Sequence, residues 1–232
     1  MSVAGQMWSL SGVRKGLSVA GHIVPSMWLL DSRCSVCHGP ANGICAVCVE
    51  ALVPATVPPL LGLAGSTVLC SYEGIGADLV CSIKYHNRRQ GLSALMTALA
   101  DSVSGEFDAI VAVPAHAQRR RERGYHIPDL MASRLSKRLR VPVIAPLSRV
   151  DSGSQQGRDR QERQAVEFRS STMVPERLLL VDDVVTTGAT AVACGLALGL
   201  SGARHVELIA LAATPPGKKQ ERSAKDLVVP IR

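Results

Sequence analysis

The segment Val181-Asp182-Asp183-Val184-Val185-Thr186-Thr187-Gly188-Ala189-Thr190 places two carboxylates directly ahead of a hydroxyl-and-glycine turn. A phosphate monoester is held well by backbone N–H groups at the start of a helix, where the dipole is positive. Here the N–H groups of Thr187, Gly188, Ala189 and Thr190 would supply that cradle, and the hydroxyls of Thr186, Thr187 and Thr190 would add hydrogen bonds. Gly188 permits positive φ and close backbone approach. Asp182 and Asp183 repel phosphate, so they should face hydrogen-bond donors or a cation, and the hydroxyls of a ribose are such donors. Two vicinal carboxylates about one sugar's length from a phosphate nest describe a site for a ribose 5-phosphate. A strand ending in two solvated aspartates could equally cap a helix. The order of apolar strand, acid pair and turn favours the ligand site.

These residues need a strand and a helix to present them. Leu178 to Val181 is a short apolar run expected of a buried parallel strand, and Ala191 to Leu200 has the composition of a buried helix. The turn between them then sits at a strand's carboxyl end, where open α/β sheets bind ligands. Phe107 to Val113 reads as a second buried strand, delivering the polar stretch Pro114 to Tyr125. After it, Ile127, Met131, Leu135 and Leu139 recur every four positions and predict an amphipathic helix, with Arg134, Lys137 and Arg138 toward solvent. The formal charge of +7 is concentrated between Arg119 and Arg140, an anion-binding surface for a pyrophosphate or a nucleic-acid backbone, or simply a solvated face.

A chain of 232 residues with 47% hydrophobic content supports one substantial domain and a small appendage. Aromatics at 3% leave few stacking platforms for single-stranded nucleic acid. Cys34-Ser35-Val36-Cys37 and Cys45-Ala46-Val47-Cys48 form two C-x-x-C pairs at zinc-knuckle spacing. Four thiolates leave no open coordination position, so zinc bound there is structural; paired disulfides and an iron–sulfur cluster are the alternatives. Residues 1–30 are read as an N-terminal extension of a cytoplasmic protein with no integral membrane span, because His22 and Pro25 interrupt its apolar stretch. Residues 31–53 form the knuckle module and a Pro/Gly-rich connector follows. Residues 66–213 are the α/β domain, within which Asp151 to Gln164 reads as a long loop suited to close over ligand, and 214–232 read as a flexible tail.

The acid pair with its threonine-glycine turn resembles the signature by which type I phosphoribosyltransferases bind phosphoribosyl pyrophosphate (PRPP). Val113 to Tyr125 is similar to the V-P-x-H-x-x-R-x-x-x-R-G-Y segment of ComF-type phosphoribosyltransferase-like proteins. Tyr72-Glu73-Gly74, Ile83-Lys84-Tyr85, Leu29 to Cys34, and Gln155 to Arg163 also resemble segments of that family. The resemblance implies a type I phosphoribosyltransferase fold, with a mostly parallel central sheet flanked by helices and an added four-cysteine zinc knuckle. It implies that Asp182 and Asp183 hold the ribose hydroxyls, that Thr186 to Thr190 hold the 5-phosphate, and that Mg²⁺ rides on the pyrophosphate. Catalytic candidates are Lys84, which could polarise a nucleophile or the pyrophosphate, and Arg119, Arg121 and Arg123, which could neutralise the leaving group; His116 is a further polarising candidate.

The sequence departs from the family at His126-Ile127, at Val166 and at Thr186, where purine-salvage relatives carry an aspartate base. Three functions follow: a phosphoribosyltransferase or PRPP hydrolase, a non-catalytic PRPP sensor, and a single-stranded-DNA-binding competence protein linked to DNA uptake. The implied partners, beyond PRPP and single-stranded DNA, are competence-machinery proteins or a second copy of the chain.

Overall fold

The computed structural model describes residues 33–86, 88–89, 92–115, 124–150 and 167–215. The candidates His116, Arg119, Arg121 and Arg123, residues 1–30, the expected loop 151–164, Val166 and residues 216–232 lie outside the described residues.

In chain order the elements are α1 (Ala46–Glu50), β1 (Gly65–Ser71), α2 (Gly74–Tyr85), α3 (Leu92–Ser102), β2 (Ala109–Ala112), α4 (Ile127–Leu139) and β3 (Val143–Ile144). They are followed by β4 (Leu147–Val150), β5 (Glu167–Ser170), β6 (Arg177–Val185), α5 (Ala189–Leu200) and β7 (His205–Ala213). Five strands form a parallel sheet in the order β1-β7-β6-β2-β3, and β4 and β5 pair antiparallel beside it.

The central strands are apolar throughout because helices cover both faces of the sheet. Successive residues alternate sides. Leu179, Val181, Ile209 and Leu211 pack in one cluster with Leu79 and Ile83 of α2, Leu95 and Leu99 of α3, and Met131 and Leu135 of α4. Leu178, Leu180, Leu208 and Ala210 pack on the other side with Ala191, Cys194 and Leu198 of α5, and with Leu147 and Phe168 of the β4–β5 pair. Cys34, Cys48, Val49 and Leu52 belong to the first cluster, so the cysteine segment is docked on the same face as α2, α3 and α4.

The crossovers β2–α4–β3 and β6–α5–β7 leave the adjacent strands β2 and β6 in opposite directions and on opposite faces. In open α/β sheets ligands bind at the carboxyl ends of strands that diverge in this way. Two boundaries differ from the sequence expectation. Strand β6 continues past Val181 to Val185, since Asp182, Val184 and Val185 stay in register with Ala210, Ala212 and Ala213 of β7. Helix α5 begins at Ala189 rather than Ala191, directly after Gly188 at φ +78°.

Candidate functional site

Because β6 runs to Val185, Asp182 and Asp183 are strand residues, and strand alternation turns their side chains to different sides. Asp183 faces α2: its Oδ2 lies 2.8 Å from Nζ of Lys84, and both side chains are half-buried. Asp182 is 8% exposed, and its charge acts on the thiol of Cys194 in α5. Its Oδ1 accepts the Asp183 N–H at 2.8 Å. Burial pushes the Asp182 carboxyl up to about 7, the adjacent Asp183 charge adds to the rise, and the Asp183 N–H and Lys84 ammonium oppose it.

The structure thus brings together Lys84, Asp182 and Asp183, which are far apart in sequence. Near them lie Tyr72 and Tyr125, which sequence reasoning treated only as family markers. Burial, followed by the charges of Cys81, Tyr85 and Asp183, pushes the Tyr72 hydroxyl up to about 12. Tyr72 Oη is 3.8 Å from Cys81 Sγ; Cys70 and Cys194 are buried, as small apolar residues in apolar stretches should be, whereas Cys81, expected to be buried with them, is partly exposed. The Tyr125 hydroxyl donates to the carbonyls of Ile83 and Lys84, at the helix end that carries Lys84. The guanidinium of Arg89 sits 5.0 Å from the centre of the Tyr125 ring.

Strand β6 passes directly into the turn at Thr186 to Gly188. Thr186, Thr187 and Ala189 are exposed, Thr190 is half-buried and Gly188 is buried. The Ala189 N–H donates to Thr187 Oγ1 at 3.3 Å, and Gly188, the cap residue of α5, has no side chain to bond the N–H groups that follow. A Cβ on Gly188 would lie 2.5 Å from Cδ2 of Leu60, a side-chain end that would have to shift, so φ is what requires glycine and Leu60 adds a contact that must give way.

The four knuckle sulfurs converge. The Sγ atoms of Cys34, Cys37, Cys45 and Cys48 all lie within 4.8 Å of one another, and Cys37 and Cys45 are 3.6 Å apart. A tetrahedral zinc with bonds of about 2.3 Å requires sulfur separations of about 3.8 Å, so this donor set fits the ion. Cys34 Sγ accepts N–H bonds from Cys45 at 3.4 Å and Val36 at 3.5 Å. Burial alone would raise the Cys34 thiol, but N–H groups of Cys45, Val36 and Cys37 outweigh it and bring the group down to about 6. Cys48 is pushed up by burial and by its three sulfur neighbours, because four thiolates cannot crowd together without a cation.

Among the described residues no helix is long and apolar enough to cross a membrane. No family model and no curated protein matches the chain. Among solved structures it is similar to a purine phosphoribosyltransferase from Pyrococcus horikoshii Ot3, at 22% identity over 54% of this chain and 74% of that one, with a TM-score of 0.38. It is similar to the adenine phosphoribosyltransferase of Leishmania tarentolae, at 18% identity over 58% and 74% of the two chains, with a TM-score of 0.38. It is also similar to the glutamine PRPP amidotransferase of B. subtilis complexed with ADP and GMP, at 18% identity and a TM-score of 0.40; 56% of this chain is covered, and only 30% of that one.

Proposed function

We propose that this chain binds PRPP and transfers or hydrolyses its phosphoribosyl group, releasing pyrophosphate. One observation carries the proposal: a single strand end delivers Asp183, already paired with Lys84 at 2.8 Å, directly into a glycine turn and the start of a helix capped by that glycine. The 5-phosphate then sits at the first turn of α5, in contact with Thr186 to Thr190. The ribose hydroxyls donate to the acid pair, with Asp183 the more accessible partner. Lys84 exchanges its carboxylate partner for the pyrophosphate.

In the reaction the bond between C1 and the pyrophosphate oxygen breaks, its electron pair leaving on that oxygen. The acceptor's lone pair forms the new bond to C1; when water is the acceptor, its proton is released. Lys84 and, beyond the described residues, Arg119, Arg121 and Arg123 stabilise the departing charge. The Asp183 carboxylate would offer a hard oxygen ligand to Mg²⁺ accompanying the pyrophosphate, and such an ion would supply further charge neutralisation. Zinc at Cys34, Cys37, Cys45 and Cys48 is structural in this scheme.

A non-catalytic PRPP sensor is the second reading, favoured by the exposed threonine at 186 where a base would otherwise stand. A cytoplasmic role in DNA uptake with single-stranded DNA extends the ComF resemblance, and it requires DNA affinity that falls steeply with salt. The deciding experiment is calorimetric titration of Mg-PRPP into zinc-loaded wild type and Asp182→Asn/Asp183→Asn, followed by an assay for pyrophosphate. Binding lost in the variant supports the site, and pyrophosphate release separates enzyme from sensor. Absence of binding in the wild type overturns the proposal.

A further inference from the structure

The end of α2 is anchored from two sides, and one anchor is the metal knuckle. Helix ends leave carbonyls that require partners. At the end of α2, the backbone N–H groups of His86 and Arg88 both donate to the Ser82 carbonyl, at 3.1 and 3.3 Å. The next two carbonyls, of Ile83 and Lys84, accept the Tyr125 hydroxyl from the residue just ahead of His126, the cap of α4. The side chain of Arg88 reaches the other way. Its Nη1 donates to the carbonyl of Cys34 at 3.1 Å and lies 2.5 Å from Nδ1 of His38. His38 is held in the knuckle turn at φ +62°, its own N–H donating to the same Cys34 carbonyl at 3.2 Å.

We infer that Arg88 is a positioning residue that ties the cysteine knuckle to Lys84, so that the metal site sets the geometry of the PRPP pocket. The connection is continuous: the Cys34 carbonyl, the Arg88 guanidinium, the Arg88 N–H on Ser82, the last turn of α2, and Lys84 Nζ at 2.8 Å from Asp183. A lysine side chain has a flexible four-carbon stem, so the placement of its ammonium depends on how firmly its helix end is held. Charge-assisted bonds from a planar guanidinium hold such an end more firmly than neutral ones. Cys34 is a proposed metal ligand through its sulfur and an Arg88 partner through its carbonyl, so displacement of the ligand displaces the strap. The inference rests on the PRPP reading of the acid pair for its functional consequence, but its structural half can be measured without PRPP.

The test uses the full zinc-loaded chain and Arg88→Ala, with zinc content, amide exchange across Ser82 to His86, and Mg-PRPP affinity as readouts. The expected result is one zinc per chain retained, about tenfold faster exchange at His86, and PRPP affinity weakened about tenfold. In a Lys84→Ala background the same change should weaken affinity by no more than about twofold, because the residue it positions is gone. Affinity and exchange within about twofold of wild type, with zinc bound, would overturn the inference. Equal losses in both backgrounds would also overturn it, since the effect would then bypass Lys84.

If the wild type does not bind PRPP, the proposed function fails while exchange still decides the strap. Chelation of zinc should speed exchange across Ser82 to His86 in wild type and add little in Arg88→Ala; an unresponsive helix end would refute the link. Should Arg88→Ala fail to fold, Arg88→Lys replaces it. That variant keeps the charge but replaces the rigid guanidinium, whose Nη1 meets both Cys34 and His38, with a shorter flexible ammonium, and a wild-type result from it would count against the inference.

Discussion

Asp182 and Asp183 adjoin in sequence but meet different surroundings, and their substitutions should differ accordingly. Asp183 is paired with Lys84 and only partly buried, so Asp183→Asn should weaken Mg-PRPP binding about a hundredfold while leaving stability nearly unchanged. Calorimetry and thermal unfolding of the same preparation check both halves. Asp182 is buried, and its carboxyl is held near 7, against about 4 in an unfolded chain. Between those values the folded protein keeps a proton that the unfolded chain has released. The contribution to stability is therefore complete below about pH 4 and is lost as pH rises through 7. Asp182→Asn removes that dependence, so wild type should lose on the order of 1 kcal/mol or more relative to the variant between pH 5 and 8. Parallel stability profiles for the two proteins would contradict the assignment.

At the level of elements, the turn between β6 and α5 is the most constrained part of the site. Gly188 combines φ +78° with a direction in which a Cβ would meet Leu60 at 2.5 Å. Gly188→Ala should cost about 1–3 kcal/mol in urea unfolding and weaken PRPP binding as the turn shifts. Pairing it with Leu60→Ala removes the clash but not the backbone strain, so only part of the lost affinity should return; full recovery would show that φ is not the constraint. This turn was legible in the sequence because an apolar strand, a glycine and a helix of small residues follow one another without interruption. Helix α4 was legible from its four-residue spacing. The length of β6 was not, because two aspartates look like the end of a strand until pairing with the alanine-rich end of β7 extends it. The β4–β5 pair was missed because each strand has four residues and they are separated by a long polar segment. Arg88 and Tyr125 were missed as positioning residues because their bonds span 54 and 42 residues, and no local pattern announces contacts of that range.

At the level of the whole molecule, the knuckle shares its interior with the sheet. Cys34 and Cys48 are 0% and 3% exposed, and Val49 and Leu52 lie in the same buried cluster as Leu79, Ile83, Leu95 and Met131. Composition divides the chain at the proline-rich connector, but packing places Cys34, Cys45 and Cys48 at the wall of the main core. With zinc held by the four cysteines, its loss would leave Cys34 and Cys48 as charged or protonated thiols inside that wall and would remove a cation that lets the four sulfurs approach. Structural zinc contributes binding free energy directly to folding, so chelation should lower the melting temperature by several degrees or more. Because the two parts share a core, the chelated protein should still unfold in one cooperative transition, seen alike by far-ultraviolet circular dichroism and by calorimetry. Two resolved transitions, with the sheet melting at its zinc-loaded temperature, would show that the knuckle folds apart from it. Mass spectrometry under native conditions identifies the ion in the same experiment: one zinc per chain with all seven thiols recoverable is expected. Visible absorption would indicate an iron–sulfur cluster, and four missing thiols would indicate disulfides in its place.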